Sequence, residues 1–312
     1  MSFQRRTVTC TLVLAAVFVS IGKAQSTSPD FGTPQGTARL ASTAGFLDIL
    51  GIKLGMPAET AMGMLKANYP TAKITLGRRN DYQMAYISNL PREDPSKQWA
   101  YEIDLEPALL PGNDRLMIGI SMPPNKQVVH AISRTAVLKA PAAVENIVAG
   151  LRKKYGSETA GVNWRFGGLS LFDGSSKTLV WIFDIQGRLL GLDAVGNVLQ
   201  KNSDGCAVSA SGGMGAPGFE IRRGNSDGRI YARDMMKNSG CYDYVILTAL
   251  IQTEGPSHGL SGMTTSFSLT AWHWPLVSSG AIAYYSFLDQ MAQAAANRAA
   301  QEAKQRGTDV KY

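Results

Sequence analysis

The chain holds only three histidines, His130, His258 and His273, and these are the first residues to question about metal or acid-base chemistry. His130 lies in a strand-like run, His258 in a Gly-Pro-Ser turn, and His273 between Trp272 and Trp274. No pair has the i, i+4 or H-x-H spacing with which two imidazoles reach one ion, and no cysteines or carboxylates cluster beside them. They read as structural or surface residues, and no metal is expected. A Ser-His-Asp triad stays open because its members meet only in space, but the G-x-S-x-G elbow that exposes a nucleophile is not present. Glu102, Asp104 and Glu106 alternate along one face of a strand-like run that Pro107 ends. Such a row can coordinate a cation or act as paired acids, although a carboxylate row is more often a strand's solvent face.

Gly213-Met214-Gly215-Ala216-Pro217-Gly218 matches the letters G-x-G-x-x-G. Its context does not match: no apolar strand precedes it, Pro217 interrupts the helix start, and Phe219-Glu220-Ile221 reads as a strand. No GxxxxGK[ST] loop occurs, so no nucleotide or other cofactor is expected. Trp272 and Trp274, two apart at a strand-to-helix junction, would project to one side. An exposed shelf there could stack on sugar rings or a peptide and is the candidate binding edge, while burial under the final helix is the alternative.

The elements that must carry these residues follow from periodicity. Pro57 marks a helix start, with Ala58, Ala61, Met62, Leu65 and Tyr69 in one apolar stripe and Pro70 as the stop. Pro141 opens a second helix with Val144, Ile147, Val148, Leu151 and Tyr155 at the same offsets, ended by Gly156. An internal duplication of a helix-plus-strands unit is one reading, chance likeness the other. Residues 73–76, 82–88, 99–105, 116–121, 128–138, 162–166 and 178–184 read as strands, as do 244–251 and 263–271. In the last run, Met263, Thr265, Phe267, Leu269 and Ala271 alternate with Thr264, Ser266, Ser268 and Thr270, which predicts one buried and one wet face. Pro275 starts a long final helix with apolar residues at Ala281, Tyr285, Leu288, Met291, Ala292, Ala295 and Ala299. That near-heptad stripe docks either a partner helix or the chain's own sheet. The expected class is α+β, an antiparallel sheet or sheets with two similar amphipathic helices on one face and a long C-terminal helix.

At the N-terminus, Arg5 and Arg6 precede an uncharged run from Val8 to Ile21, and Gly22-Lys23-Ala24 leads into polar residues. The run is shorter than the roughly 20 residues of a membrane span. The pattern predicts a secretory signal peptide at 1–24 and an exported, periplasmic or secreted product with no integral span after cleavage. Residues 25–44, rich in Ser, Thr, Gly and Pro, are expected to form a disordered spacer. Residues 45–200 then form the α+β domain, with room for two related units. Residues 201–312 supply a Gly-rich segment, two strands and the final helix, on the same or an adjoining domain. The formal net charge of +7 falls by three when Arg5, Arg6 and Lys23 leave, too small and scattered an excess for nucleic acid. Cys10 leaves too, so Cys206 and Cys241 remain as an even pair in an oxidising compartment and are expected to form a disulfide, two buried free thiols being the alternative.

Ile52-Lys53-Leu54-Gly55-Met56-Pro57-Ala58-Glu59, followed by Leu65, resembles the opening of BamE/SmpA-like modules, which are similar to the repeats of β-lactamase-inhibitor proteins. Leu151-Arg152-Lys153-Lys154-Tyr155-Gly156 with Trp164 and Trp181-Ile182-Phe183-Asp184 is similar to a segment of uncharacterised exported proteins of Gram-negative bacteria. Pro57 departs from that family, standing where a capping Ser or Thr is usual. The resemblance implies small α+β modules that bind proteins or associate with the envelope. The expected function is therefore that of an exported, non-catalytic protein that binds a protein or an envelope component, another envelope protein being the expected partner. The alternative is an exported hydrolase of cell-wall or glycan material that uses Glu102, Asp104 or another acid.

Overall fold

In the computed structural model, residues 33–70, 74–79, 99–105, 115–121, 126–160, 165–166, 169–170, 176–195, 243–252 and 262–307 are described. Strand-forming runs separated by turns pair with their chain neighbours, and the result is an antiparallel sheet built largely of meanders. The strands are β1 (Asp48–Ile49), β2 (Ile52–Lys53), β3 (Ile74–Arg79), β4 (Trp99–Leu105), β5 (Arg115–Ile120) and β6 (Val129–Ala143). They continue with β7 (Arg165–Phe166), β8 (Leu169–Ser170), β9 (Ser176–Phe183), β10 (Val245–Gln252) and β11 (Met263–His273). The helices are α1 (Pro34–Thr43), α2 (Ala58–Asn68), α3 (Val144–Tyr155) and α4 (Trp274–Gly307).

Seven strands form one sheet in the order β3-β4-β5-β6-β11-β10-β9, and the pairs β1-β2 and β7-β8 stand apart. The fold is α+β. Because β11 lies between β6 and β10, the strands at 245–273 belong to the same sheet as those before residue 200. Each half of the sheet follows a helix, α2 before β3 to β6 and α3 before β9 to β11, and the last strands of the two halves meet at its centre.

One face of the sheet is the main core. Ile118, Ile132, Ala271, Leu247 and Trp181 stand in register across five strands, all buried. The helices α2, with Ala58, Ala61 and Leu65, and α3, with Val144, Val148 and Leu151, bury their apolar sides into the same cluster. Burial of such side chains contributes roughly 1.5–3 kcal/mol each where they are large, and this apolar seam dominates the stability of the layer. The outer edge at β9 is occupied: Val180 exchanges backbone bonds with Ala160 at 2.9 and 3.1 Å, and the Ile182 carbonyl accepts the Leu190 N–H at 2.8 Å. The β1-β2 turn places Leu50 at φ 56° and Gly51 at φ 81°, the two positive angles that a two-residue hairpin turn demands. Asp48 closes that turn by accepting the Gly51 N–H at 3.1 Å, and Tyr155 at the end of α3 donates its hydroxyl to the Asp48 carbonyl at 3.0 Å.

Two expectations need correction. Residues 33–44 are not spacer but α1 and the start of a 3₁₀ turn at Ala44–Phe46. Thr33 caps the helix by accepting the Gly36 N–H at 3.1 Å, Pro34 suits the first turn, and Thr37, Leu40 and Ala44 are buried. The Thr37 hydroxyl bonds Ser279 in α4 at 2.8 Å, so a helix that composition alone does not support is held by tertiary contact. Thr33→Ala should therefore cost about 1 kcal/mol, read as faster amide hydrogen exchange across α1. The second correction concerns α3, which starts at Val144 rather than Pro141. Residues 142 and 143 are extended because they pair with Thr264 and Met263, lengthening β6.

The helix α4 is 34 residues long, which is about 50 Å at the helical rise. Residues 274–280 are buried, whereas 296–306 are exposed on every side. Among the described residues, no helix is long and apolar enough to cross a membrane.

Candidate functional site

The sheet face opposite the core is polar, and its rows follow from register. Met117, Ser133, Thr270, Thr248 and Val180 form one row, and Arg115, Thr135, Ser268, Leu250 and Thr178 the next. Beyond these, Val137, Ser266 and Gln252 stand opposite one another. The hydroxyls are paired across strands: Ser133 with Thr270 at 3.1 Å and Thr135 with Ser268 at 3.2 Å. Ser266 donates to Oε1 of Gln252 at 3.1 Å. Cross-strand hydroxyl pairs of this kind stabilise a sheet by roughly 0.2–1 kcal/mol each.

Exposure grades along this face. Arg115, Thr135, Val137 and Gln252 are exposed, Met117, Ser133, Ser266, Ser268 and Leu250 are half-buried, and Thr270 and Thr248 are buried. The third row, Gly119, Ala131, Trp272, Ile246 and Ile182, is wholly buried. One end is thus open and hydroxyl-lined, the other closed and aromatic. A hydroxyl pair that shares one hydrogen bond still has one donor and three acceptor positions, so the open end can exchange several hydrogen bonds with an uncharged polar ligand.

The closed end is shaped by a bulge. Gly119 pairs with Ala131 and Ile120 with Val129, leaving His130 as the extra residue. The His130 ring stacks on Trp272 at 6.2 Å, and Trp272 stacks on Trp274 at 5.4 Å. A Cβ at position 119 would lie 2.8 Å from Nε2 of His130, so glycine is what leaves room for the imidazole. Trp272 and Trp274 are 1% and 3% exposed and offer no open stacking shelf; the expected binding edge is a buried aromatic stack. Burial pushes His130 down to about 4 and His273 down to about 3, so both imidazoles are neutral at pH 7. Among the described residues, neither ring nitrogen of His130, nor Nε2 of His273, nor Nε1 of Trp272 has a hydrogen-bond partner.

The other candidates are placed as follows. In β4, Asp104 stands in register with Met117, at the edge of the first polar row, and Glu102 with Gly119, at the edge of the closed row. Cys206, Cys241, His258, Glu106 and Gly213 to Gly218 lie outside the described residues, as do the signal peptide at 1–24 and the strand expected at 82–88. Among the described residues, no three His, Cys, Asp or Glu side chains come together as metal ligands would. The hydroxyl-bearing side of β11 was legible in the alternation of Ser266, Ser268 and Thr270, although Thr270 is buried and the two serines half-buried. Its pairing with Ser133 and Thr135 was not, because register between distant strands leaves no local signal.

No family model, curated protein or solved structure matches the chain.

Proposed function

We propose that the chain is an exported binding protein that takes an uncharged polar component of the cell envelope on the open hydroxyl face of its sheet. The observation that carries this reading is the face itself, with Ser133, Thr135, Ser266 and Ser268 accessible beside Arg115 and Gln252. Export rests on the basic, then apolar, then small-residue order of residues 5–24. The resemblance of Leu54-Gly55-Met56 and its surroundings to BamE/SmpA-like modules supports the envelope and favours a binding role, with another envelope protein as the alternative ligand.

The test is co-sedimentation of the full chain with purified peptidoglycan sacculi, beside capture from envelope extract. Thr135→Lys changes one exposed position, so stability should move by less than about 1 kcal/mol. Binding should fall at least tenfold. Unchanged binding in both assays would remove the sheet face as the site.

The hydrolase reading is favoured by one observation, the register of Asp104 with the first polar row of this face and of Glu102 with the row beside it. It predicts release of soluble sugar from sacculi by the full chain, abolished by Glu102→Gln or Asp104→Asn. Retention of binding without sugar release returns the balance to the binding protein.

A further inference from the structure

The helix α4 begins at Trp274, and the residue before it, His273, ends β11 and is fully buried. Nδ1 of His273 accepts the backbone N–H of Leu276 at 3.1 Å. This is the bond with which a capping side chain satisfies the third amide of a helix, made here by an imidazole in place of Ser, Thr, Asn or Asp. The substitution changes the chemistry of the cap. A neutral imidazole accepts through one nitrogen, whereas an imidazolium has two donors and accepts through neither. A protonated ring would also set a positive charge against the positive end of the helix dipole.

The geometry points to His273 as an acid-released latch: taking up a proton at Nδ1, it loses the Leu276 amide and frees the root of α4 from the end of the sheet. The surroundings favour release over accommodation. From β6 comes His130, and a charge on either imidazole disfavours one on the other. From β10, the register partner is Val245, with half-buried Asp243 and Tyr244 just before it. Gly119 of β5 lies against His130, the Thr37 hydroxyl of α1 bonds Ser279 one turn further along α4, and Arg39 of α1 is exposed. Before Tyr284, α4 itself carries no ionisable residue. His130 is the one ionisable neighbour among the described residues whose charge moves the His273 equilibrium. Among the described residues, the buried Nε2 of His273, the ring nitrogens of His130 and Nε1 of Trp272 have no hydrogen-bond partner, so no acceptor is in place for the second N–H of a charged His273 ring.

The two states differ in proton affinity. Burial holds the latched ring down to about 3, while an opened ring titrates near its ordinary 6.5. Opening should therefore rise towards tenfold per pH unit below pH 6.5, about 50-fold in all between pH 6.5 and pH 4.5. The measurement is amide hydrogen exchange of the full chain over residues 274–283, corrected for intrinsic chemistry, with ring ¹⁵N shifts of His273 followed in the same samples. His273→Asn keeps a capping acceptor that does not titrate, and its exchange at these amides should change by less than about threefold over that range. An Asn variant that accelerates like the parent would overturn the latch. Should that variant not fold, the parent alone decides: Leu276 must lose protection as the His273 ring gains its proton, and protonation with the amide still protected sinks the proposal.

Discussion

Gly55→Ala is expected to destabilise the folded chain by about 3 kcal/mol, from two sources acting at one atom. Gly55 has φ +77°, a left-handed angle that costs an L-residue roughly 1–2 kcal/mol. A Cβ there would also lie 2.1 Å from the Ala41 carbonyl oxygen and 2.9 Å from Cβ of Ala44, so it meets backbone at the end of α1, not a side chain that can swing away. Overpacking of this kind adds about 1–3 kcal/mol. The position cannot slide, because Gly55 donates to the Val129 carbonyl at 2.7 Å and the Val129 amide returns a bond to Met56 at 2.8 Å. Gly55 thus fixes three things in one place: the end of α1, the approach to α2, and the start of β6. The check is a urea midpoint at constant slope, with Gly63→Ala as the control. Gly63 lies inside α2, and a methyl added there would meet nothing within 4 Å, so alanine should stabilise by roughly 0.5–1 kcal/mol.

That glycine was visible in the sequence as part of Leu54-Gly55-Met56, but its partner was not. Residues 33–44 carry too many Thr and Ser and too few large apolar side chains to predict a helix by themselves, and the hydroxyl of Thr37 finds its partner Ser279 across 242 positions of sequence. The extent of some elements was legible, and the 99–105 strand runs from Trp99 to Leu105, but β11 does not keep the expected buried and wet faces: residues 265–268 are half-buried on both sides and 269–273 are buried on both. The pattern of β11 changes where the register does, between Thr264 and Ser266, which leaves Thr264 fully buried although it began on the expected wet face. Bulges and registers are set by the neighbouring strand, so they carry no signature in one strand's residues.

The same limit explains the two histidines and the two tryptophans. Period-two reasoning placed Trp272 and Trp274 on one side of a strand, but the strand ends at His273, and Trp274 is the first residue of α4. They meet all the same, because the chain turns into the helix over Trp272. His130 reaches the stack through the bulge opposite Gly119, a relation between β5 and β6 that neither strand announces. The residue types were informative, and the arrangement depended on contacts between strands.

From that arrangement follows a strong dependence of stability on pH. Folding keeps His130 and His273 neutral, while the unfolded chain binds protons at both near pH 6.5. Below pH 6.5 the unfolded state therefore holds more protons than the folded one, and stability falls as pH falls. The stabilisation is complete above pH 6.5 and is lost progressively on the way down to about 4 for His130 and about 3 for His273. At pH 5 each ring should have removed about 2 kcal/mol, roughly 4 kcal/mol together, a large share of the 5–15 kcal/mol that holds a typical domain. Urea midpoints from pH 7.5 to 4.5 measure this slope directly. His130→Leu removes one of the two titrations and two unsatisfied buried nitrogens at once. At pH 7 it should leave stability unchanged or raise it by about 1 kcal/mol, and the loss between pH 7 and pH 5 should shrink by about half. A profile as steep in the Leu variant as in the parent would mean that His130 is not held neutral in the folded chain. A profile half as steep would place both rings in the closed aromatic end of the sheet, where their burial, and not a charged partner, sets the acid limit of the fold.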